Sequence, residues 1–365
     1  MNNKHLKLMQ FSVLILAVVI TGYVMSKILN NGDNSHNTTL TGQTVESKLD
    51  NPESVTVENI FNLDDILATV SKDDVIDTSK LITSDNQKAD LIITGTGKQV
   101  QDEVASDEDS KEEAYESSYE FDVTMYPYRA MLEENEALDY DQIYESITEL
   151  KVSVTLVESV SIVSIKNIMI AVYSDHPELF YVNTNYNYCY TSNGKVLSVE
   201  LSYNVTADSI QTSRTKFLQE AAEIINTASQ LKTDLEKEKY VYKALQNKCT
   251  YVSDSDMNQS AYSALVNNQS VCAGYSRAFQ YILQQLNIPC YFCAGYVGSG
   301  NHAWNIVFID GEYYNVDLSW DDTLGEISDT YSFTYFNVSD SAISIDHVRR
   351  DLSVNLPECK STLTE

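Results

Sequence analysis

Three side chains in the last third of this 365-residue chain are of the right types and spacing to do chemistry: Cys272, His302 and Asp317. After Asn267-Asn-Gln-Ser270 the sequence changes to an apolar pattern at Val271, Tyr275, Ala278, Phe279, Ile282, Leu283 and Leu286, and it stops at Asn287-Ile-Pro289. That spacing describes one buried face of a helix. Ser270 is the expected N-cap, which places Cys272 in the first turn. There the free backbone N–H groups and the positive end of the helix dipole favour a thiolate. Gly274 and Ala273 keep the neighbourhood of the sulfur small.

His302 and Asp317 are expected on paired strands. Cys290 to Val297 reads as an apolar strand, Gly298-Ser-Gly300 as a turn, and His302 to Ile309 as a strand running into Asp310-Gly311, a strong two-residue hairpin signal. With that dipeptide as the loop, Ile309 faces Glu312, Trp304 faces Asp317, and His302 faces Ser319. His302 and Asp317 then become diagonal neighbours on one face, roughly 7 to 8 Å apart at the backbone, close enough for a side-chain hydrogen bond. An imidazole held this way can take the thiol proton and return one to a leaving amine, while the carboxylate fixes the ring's tautomer. A lone cysteine on an apolar helix is ordinarily a small buried hydrophobe, and a lone histidine beside a tryptophan is ordinarily structural. A capped-helix cysteine together with a register-matched His and Asp is what makes the set a candidate nucleophile, base and orienter.

The same residues resemble the transglutaminase-like superfamily. Ala261-Tyr-Ser-Ala-Leu-Val-Asn-Asn-Gln-Ser-Val-Cys-Ala-Gly-Tyr275, with Ala278-Phe279, is similar to its nucleophile motif; His302-Ala-Trp-Asn-Ile-Val307 and Tyr313-Tyr-Asn-Val-Asp-Leu-Ser-Trp-Asp-Asp322 are similar to its histidine and aspartate motifs. The likeness covers roughly 235 to 350, and Tyr335-Phe-Asn-Val-Ser-Asp340 through His347 is similar to family flanks. It implies a papain-like α+β core, a nucleophile helix packed on an antiparallel sheet, with Cys272 as nucleophile, His302 as base and Asp317 as orienter. The bacterial surface-anchored members are those it resembles. Asn268, Asn315 and Ser319 depart from the common pattern, where Gly, His and Thr are frequent. For the oxyanion, the backbone N–H of Cys272 and the side chain of Tyr262 are candidates, with a core tyrosine the competing reading of the latter. Trp304 and Trp320 are candidate walls of the site, against simple packing.

The elements that must hold this set begin near Tyr119. Ile143, Ile147 and Leu150 fall at helical spacing over 141–150, and Ile162, Ile165, Ile168, Met169 and Val172 predict a second helix over 161–173, stopped by Pro177. A Tyr-rich run to Tyr190, Asn193-Gly194, and Val196 to Tyr203 predict a hairpin. A long amphipathic helix over 208–231 follows, and Thr233-Asp-Leu-Glu236 is a capping box opening another helix to about Lys248. The expected division is 119–232 as an α+β N-terminal region and 233–361 as the catalytic domain.

Upstream, residues 8–29 read as a membrane anchor behind a 1–7 N-terminus that carries Lys4 and Lys7. A secreted form after signal-peptide cleavage is the alternative. Residues 30–118 read as an acidic, low-complexity spacer, disordered and lifting the catalytic part off the membrane. With 53 acidic and 24 basic side chains the formal charge is −29, a surface that repels nucleic acid. The six cysteines are too widely spaced for a disulfide framework. Cys290 and Cys293, three apart on a strand, point to opposite faces, and no second pair completes a zinc site. No metal or cofactor is expected. The expected activity is extracytoplasmic, cysteine-dependent cleavage of peptide or amide bonds in a protein or peptide substrate at the cell surface. Crosslinking through the same thioester is the alternative, and an inactive surface-binding module the second alternative.

Overall fold

The computed structural model describes residues 93–100, 115, 117, 119–328 and 333–363. The expected anchor at 8–29 and most of the acidic spacer, including the run from Asp102, lie outside them. Among the described residues no helix is long and apolar enough to cross a membrane.

The architecture is mixed α+β, built on two four-stranded sheets. The first comprises β1 (Thr94–Gln99), β2 (Ser153–Ser161), β3 (Asn185–Tyr190) and β4 (Lys195–Glu200), in the order β1-β3-β4-β2. Helices α1 (Pro127–Ala130), α2 (Glu134–Thr148) and α3 (Ile162–Asp175) precede the β3–β4 hairpin. Ser161 caps α3 by accepting the Ser164 N–H, and the helix ends before Pro177. The hairpin turns at Gly194, whose φ of +82° is cheap only for glycine.

Within the 30–118 stretch, read as a largely disordered spacer, β1 is an ordered strand. Its sequence, Thr-Gly-Thr-Gly-Lys-Gln, is exposed at every position, so no hydrophobic signal announces it. It is held by a parallel backbone ladder to β3. Gly95 and Gly97 lie opposite Tyr186 and Tyr188, whose rings occupy the space a β-carbon would need, 2.6 and 2.7 Å away.

The second half begins with α4 (Ala207–Ala228) and α5 (Asp234–Lys248). The α5 start is the expected capping box: Thr233 Oγ accepts the Glu236 N–H at 3.1 Å and Glu236 accepts the Thr233 N–H at 3.0 Å. Short strands β5 (Thr250–Tyr251) and β6 (Gln269–Ser270) pair in parallel ahead of α6 (Cys272–Gln285). The second sheet is antiparallel: β7 (Cys290–Val297), β8 (Gly300–Ile309) and β9 (Glu312–Val316), with β10 (His347–Arg349) on the outer edge of β7. Between β9 and β10 lie α7 (Leu318–Ser328) and α8 (Asp340–Ile343). Helix α6 packs across β7 and β8 and buries Tyr275, Ala278, Phe279, Ile282 and Leu283, with Val271 buried just ahead of it.

One hydrophobic cluster runs through both halves, from Tyr128, Ile143 and Ile168 to Phe279, Tyr291 and Trp304. Hydrogen bonds sew the halves together. The Tyr128 hydroxyl donates to Phe292 O at 2.6 Å, Tyr291 to Thr124 O at 2.9 Å, and Gln280 Nε2 to Ser174 O at 2.8 Å.

Candidate active site

The helix that carries the sulfur starts where expected, but its cap is different. Val271, in extended conformation, precedes Cys272, the first helical residue. Ser270 is engaged elsewhere, because its backbone belongs to the β5–β6 pair. Its hydroxyl bonds Asn258 O at 2.8 Å and Ser263 Oγ at 2.6 Å. The loop from Asn258 to Ser260 thereby presses against the first turn. At Gly274 a β-carbon would meet Ser270 Oγ at 1.9 Å and the Asn258 and Ser260 carbonyl oxygens at 2.8 Å. A glycine at 274 is what permits that close approach.

Cys272 keeps 5% exposure and sits in a small apolar nest with Ala273, Phe292 and Ala303, closed on one side by Tyr251 and Ala294. The Tyr251 hydroxyl is in hydrogen-bond contact with both the thiol and the backbone of Cys272. Burial first, and then the charge of Cys272, hold that hydroxyl above the usual phenol range, so it remains a protonated donor.

The hairpin register is the one Asp310-Gly311 dictates. Ile309 faces Glu312 and the ladder runs in step to Asn305 opposite Val316. Asp310 and Gly311 both have positive φ, 51° and 88°, as a type I′ turn requires. The expected pairing of His302 with Ser319 does not form, since α7 begins at Leu318. Asp317 is the reason: its Oδ1 accepts the Trp320 N–H at 3.1 Å and the Ser319 hydroxyl at 2.8 Å, so it caps α7 and ends the strand. Its other oxygen, Oδ2, lies 2.5 Å from His302 Nε2. One carboxylate therefore both turns the chain into a helix and holds the imidazole.

With Nε2 committed to Asp317, Nδ1 is the nitrogen left for the hydrogen bond His302 makes with the Cys272 side chain. Burial works against charge on His302, but Asp317 and Cys272 outweigh it and push the imidazole up to about 10. Asp317 moves the other way. Burial would raise it, yet the charge and hydrogen bond of His302 and a second hydrogen bond from His347 hold it well below the carboxylate range.

Cys272, His302 and Asp317 are thus brought together in one buried cluster. Trp304 is 1% exposed, stacks at 6.2 Å on the His302 ring, and donates its indole N–H to Asn315 Oδ1 at 3.1 Å, which makes it a packing residue behind the histidine. Trp320 is partly exposed and lies 5.9 Å from the same ring, at the rim. Tyr262 stacks on Phe180 at 4.8 Å, and the hydroxyl at Cys272 is that of Tyr251. Sequence spacing did not point to Tyr251, which is brought to the sulfur by the β5–β6 pair, a contact between residues 19 apart.

His347 is the other residue that sequence reasoning missed. Its Nε2 lies 3.0 Å from Asp317 Oδ2 and its Nδ1 bonds Asp346 Oδ1. Its signals were its type and its place at the end of the stretch similar to family flanks, and neither gave it a role. His302, Asp317 and His347 offer ligand atoms within 4.8 Å of one another. A metal ion there would have to displace both imidazole bonds to Asp317, so the donor set fits a hydrogen-bonded cluster better than a metal cage.

A helix-start thiol and a carboxylate-held imidazole thus lie side by side in one buried cluster. The sequence profile of the transglutaminase-like superfamily matches residues 222–318, the stretch that contains all three residues. Among solved structures, one described as a TGase aligns at 15% identity and TM-score 0.27, over 37% of this chain and 50% of the other. A candidate cysteine protease from Cytophaga hutchinsonii aligns at 16% identity and TM-score 0.25, over 34% and 51%. A candidate protease from Parabacteroides distasonis aligns at 14% and 0.22, over 34% and 32%. The chain thus spans about half the length of the first two and a third of the last. No curated protein matches it.

Proposed function

We propose that this chain is a cysteine-dependent acyl hydrolase that cleaves peptide or amide bonds through a thioester on Cys272. The observation that supports this most directly is the His302–Asp317 bond at 2.5 Å beside a cysteine that opens a helix. Within the transglutaminase-like match, that arrangement supplies a nucleophile, a proton carrier and an orienter.

In this reading the His302 imidazolium pairs with the Cys272 thiolate. Sulfur attacks the substrate carbonyl carbon, and the oxyanion is received by the Cys272 backbone N–H and the Tyr251 hydroxyl, which already sits at that backbone. Collapse breaks the C–N bond as His302 Nδ1–H protonates the leaving amine. His302, now neutral, takes a proton from water, whose oxygen attacks the thioester; collapse breaks the C–S bond, the acid product leaves, and the Cys272 thiolate and His302 imidazolium are restored. Asp317 remains ionised throughout. The substrate is a protein or peptide, met at the cell surface if 8–29 is the anchor its composition describes.

The test has two parts. Iodoacetamide at about pH 6 is expected to label Cys272 faster than a free model thiol, whose reference pKa leaves it protonated there. Peptide substrates are expected to yield new termini, lost in Cys272→Ala. Labelling no faster than the model thiol would sink the reading. Ammonia release with amine incorporation at glutamine, in place of new termini, would reassign the chain to crosslinking.

A further inference from the structure

Asp317 serves two histidines. His302 Nε2 and His347 Nε2 both reach its Oδ2, at 2.5 and 3.0 Å. The second ring nitrogen of His347 is committed as well, to Asp346 Oδ1, and Asp346 Oδ2 accepts the Tyr335 hydroxyl at 2.7 Å. His347 is 3% exposed, and its ring is boxed by Trp304 at 5.1 Å, Trp320 at 4.9 Å and Tyr335 at 5.4 Å.

A neutral imidazole carries one N–H and one bare nitrogen. A bare nitrogen facing a carboxylate oxygen would set two lone pairs against each other in a buried place. With a carboxylate at each end, the ring satisfies both only as the doubly protonated cation.

We infer that His347 is a standing imidazolium and a positioning residue for the Cys272–His302 pair: it holds the shared Asp317 oxygen and places a fixed positive charge behind His302. The ionisable groups around it are Asp317, Asp346 and His302, with Cys272 beyond His302 and the Tyr335 hydroxyl on Asp346. Its protonated form is favoured by those bonds: burial opposes the charge, and the hydrogen bonds to Asp317 and Asp346 overcome it.

The consequence for the reaction follows from the ring separation of 5.2 Å between His302 and His347. Unrelieved, Asp317 would fix the proton on His302 so firmly that delivery to a leaving amine becomes costly. A cation on the far side of the same oxygen weakens that pull. It also stabilises the thiolate. Both limbs of a pH–rate profile are therefore held lower than the Cys–His–Asp set alone would place them.

This role rests on the thiolate–imidazolium reading above, and the test separates the two. In the full chain with 15N-labelled histidine, the His347 ring, assigned through its contacts to the Trp304 and Trp320 rings, is expected to show directly bonded protons on both nitrogens at pH 7. In His347→Gln, which keeps one N–H donor but no charge, both limbs of the Cys272 alkylation profile are expected to move up by about 1 pH unit. A bare ring nitrogen at pH 7, or a folded His347→Gln whose rate falls with its limbs unmoved, would overturn the proposal. If the variant does not fold, the nitrogen measurement on the unaltered chain decides alone. A Cys272 that labels no faster than a free thiol removes the function but leaves the His347 result readable.

Discussion

The burial of both Asp317 oxygens under four hydrogen-bond donors explains how one residue organises the site. Removing its charge has a predictable pH signature. His302 has its imidazole raised to about 10 in the fold, against an ordinary value near 6.5. A raised imidazole contributes stability that is full below the unfolded value and is lost as pH rises through the folded one. The stability gap between the unaltered chain and Asp317→Asn, measured by denaturant unfolding, is accordingly expected to be widest near pH 6 and to shrink toward pH 10. An equal gap at both would refute the pairing. Tyr251 makes a separate prediction. Tyr251→Phe removes one oxyanion donor while leaving the ring in place, so kcat is expected to fall by about 100-fold with KM little changed, and iodoacetamide labelling of Cys272 persists. At this scale the sequence made the residues of known chemical type legible, because thiol, imidazole and carboxylate stand out by kind. Tyr251 and His347 were not, since one is one of 25 tyrosines and the other joins Asp317 only when β10 folds onto β7.

The start of α6 shows how tightly elements are fitted around the sulfur. Asn258 O, Ser260 O and Ser270 Oγ converge on the position a Gly274 β-carbon would take, two of them backbone atoms that cannot swing aside. Gly274→Ala is expected to push the 258–260 loop off the helix start and lower stability by about 1–3 kcal/mol, with a larger relative loss of Cys272 reactivity than of stability; unfolding curves and alkylation rates on the same sample check it. Elements with local signals were readable in advance. The Thr233 capping box, the Pro177 stop, and the Asn193-Gly194 and Asp310-Gly311 turns each declare themselves within a few residues, and Asp310-Gly311 alone fixes the register that brings His302 toward Asp317. Those decided by partners were not. β1 has no apolar residue and exists through its ladder to β3. Ser270 looked like an N-cap until its hydroxyl found Asn258 and Ser263.

Over the whole molecule, the expected boundary near 232 coincides with a loop between α4 and α5, yet the interior does not divide there. The hydrophobic cluster is continuous from Ile143 and Ile168 to Phe279 and Trp304. Arg277, on the helix that carries Cys272, donates to Tyr173 O and lies over the Phe292 ring at 4.3 Å. Its charge is buried against the Tyr173 carbonyl of α3, and burial lowers its pKa to about 10. Without residues 119–232 this guanidinium, the Phe292 carbonyl that accepts from Tyr128, and the Gln280 amide would lose their partners at once. The apolar cluster would be laid open to water at the same face, and lost burial costs roughly 25 cal/mol per Å², against a stability of about 5–15 kcal/mol for a whole domain. A fragment spanning 233–361 is therefore expected not to fold on its own. The intact chain offers the complementary measurement, because its two tryptophans, Trp304 and Trp320, both stand at the site while helix is spread over both halves. Tryptophan fluorescence and far-ultraviolet circular dichroism are expected to report one coincident transition in denaturant. Two separated transitions, or a soluble 233–361 fragment with cooperative unfolding, would show that the N-terminal region is an accessory to the site and not a wall of its core.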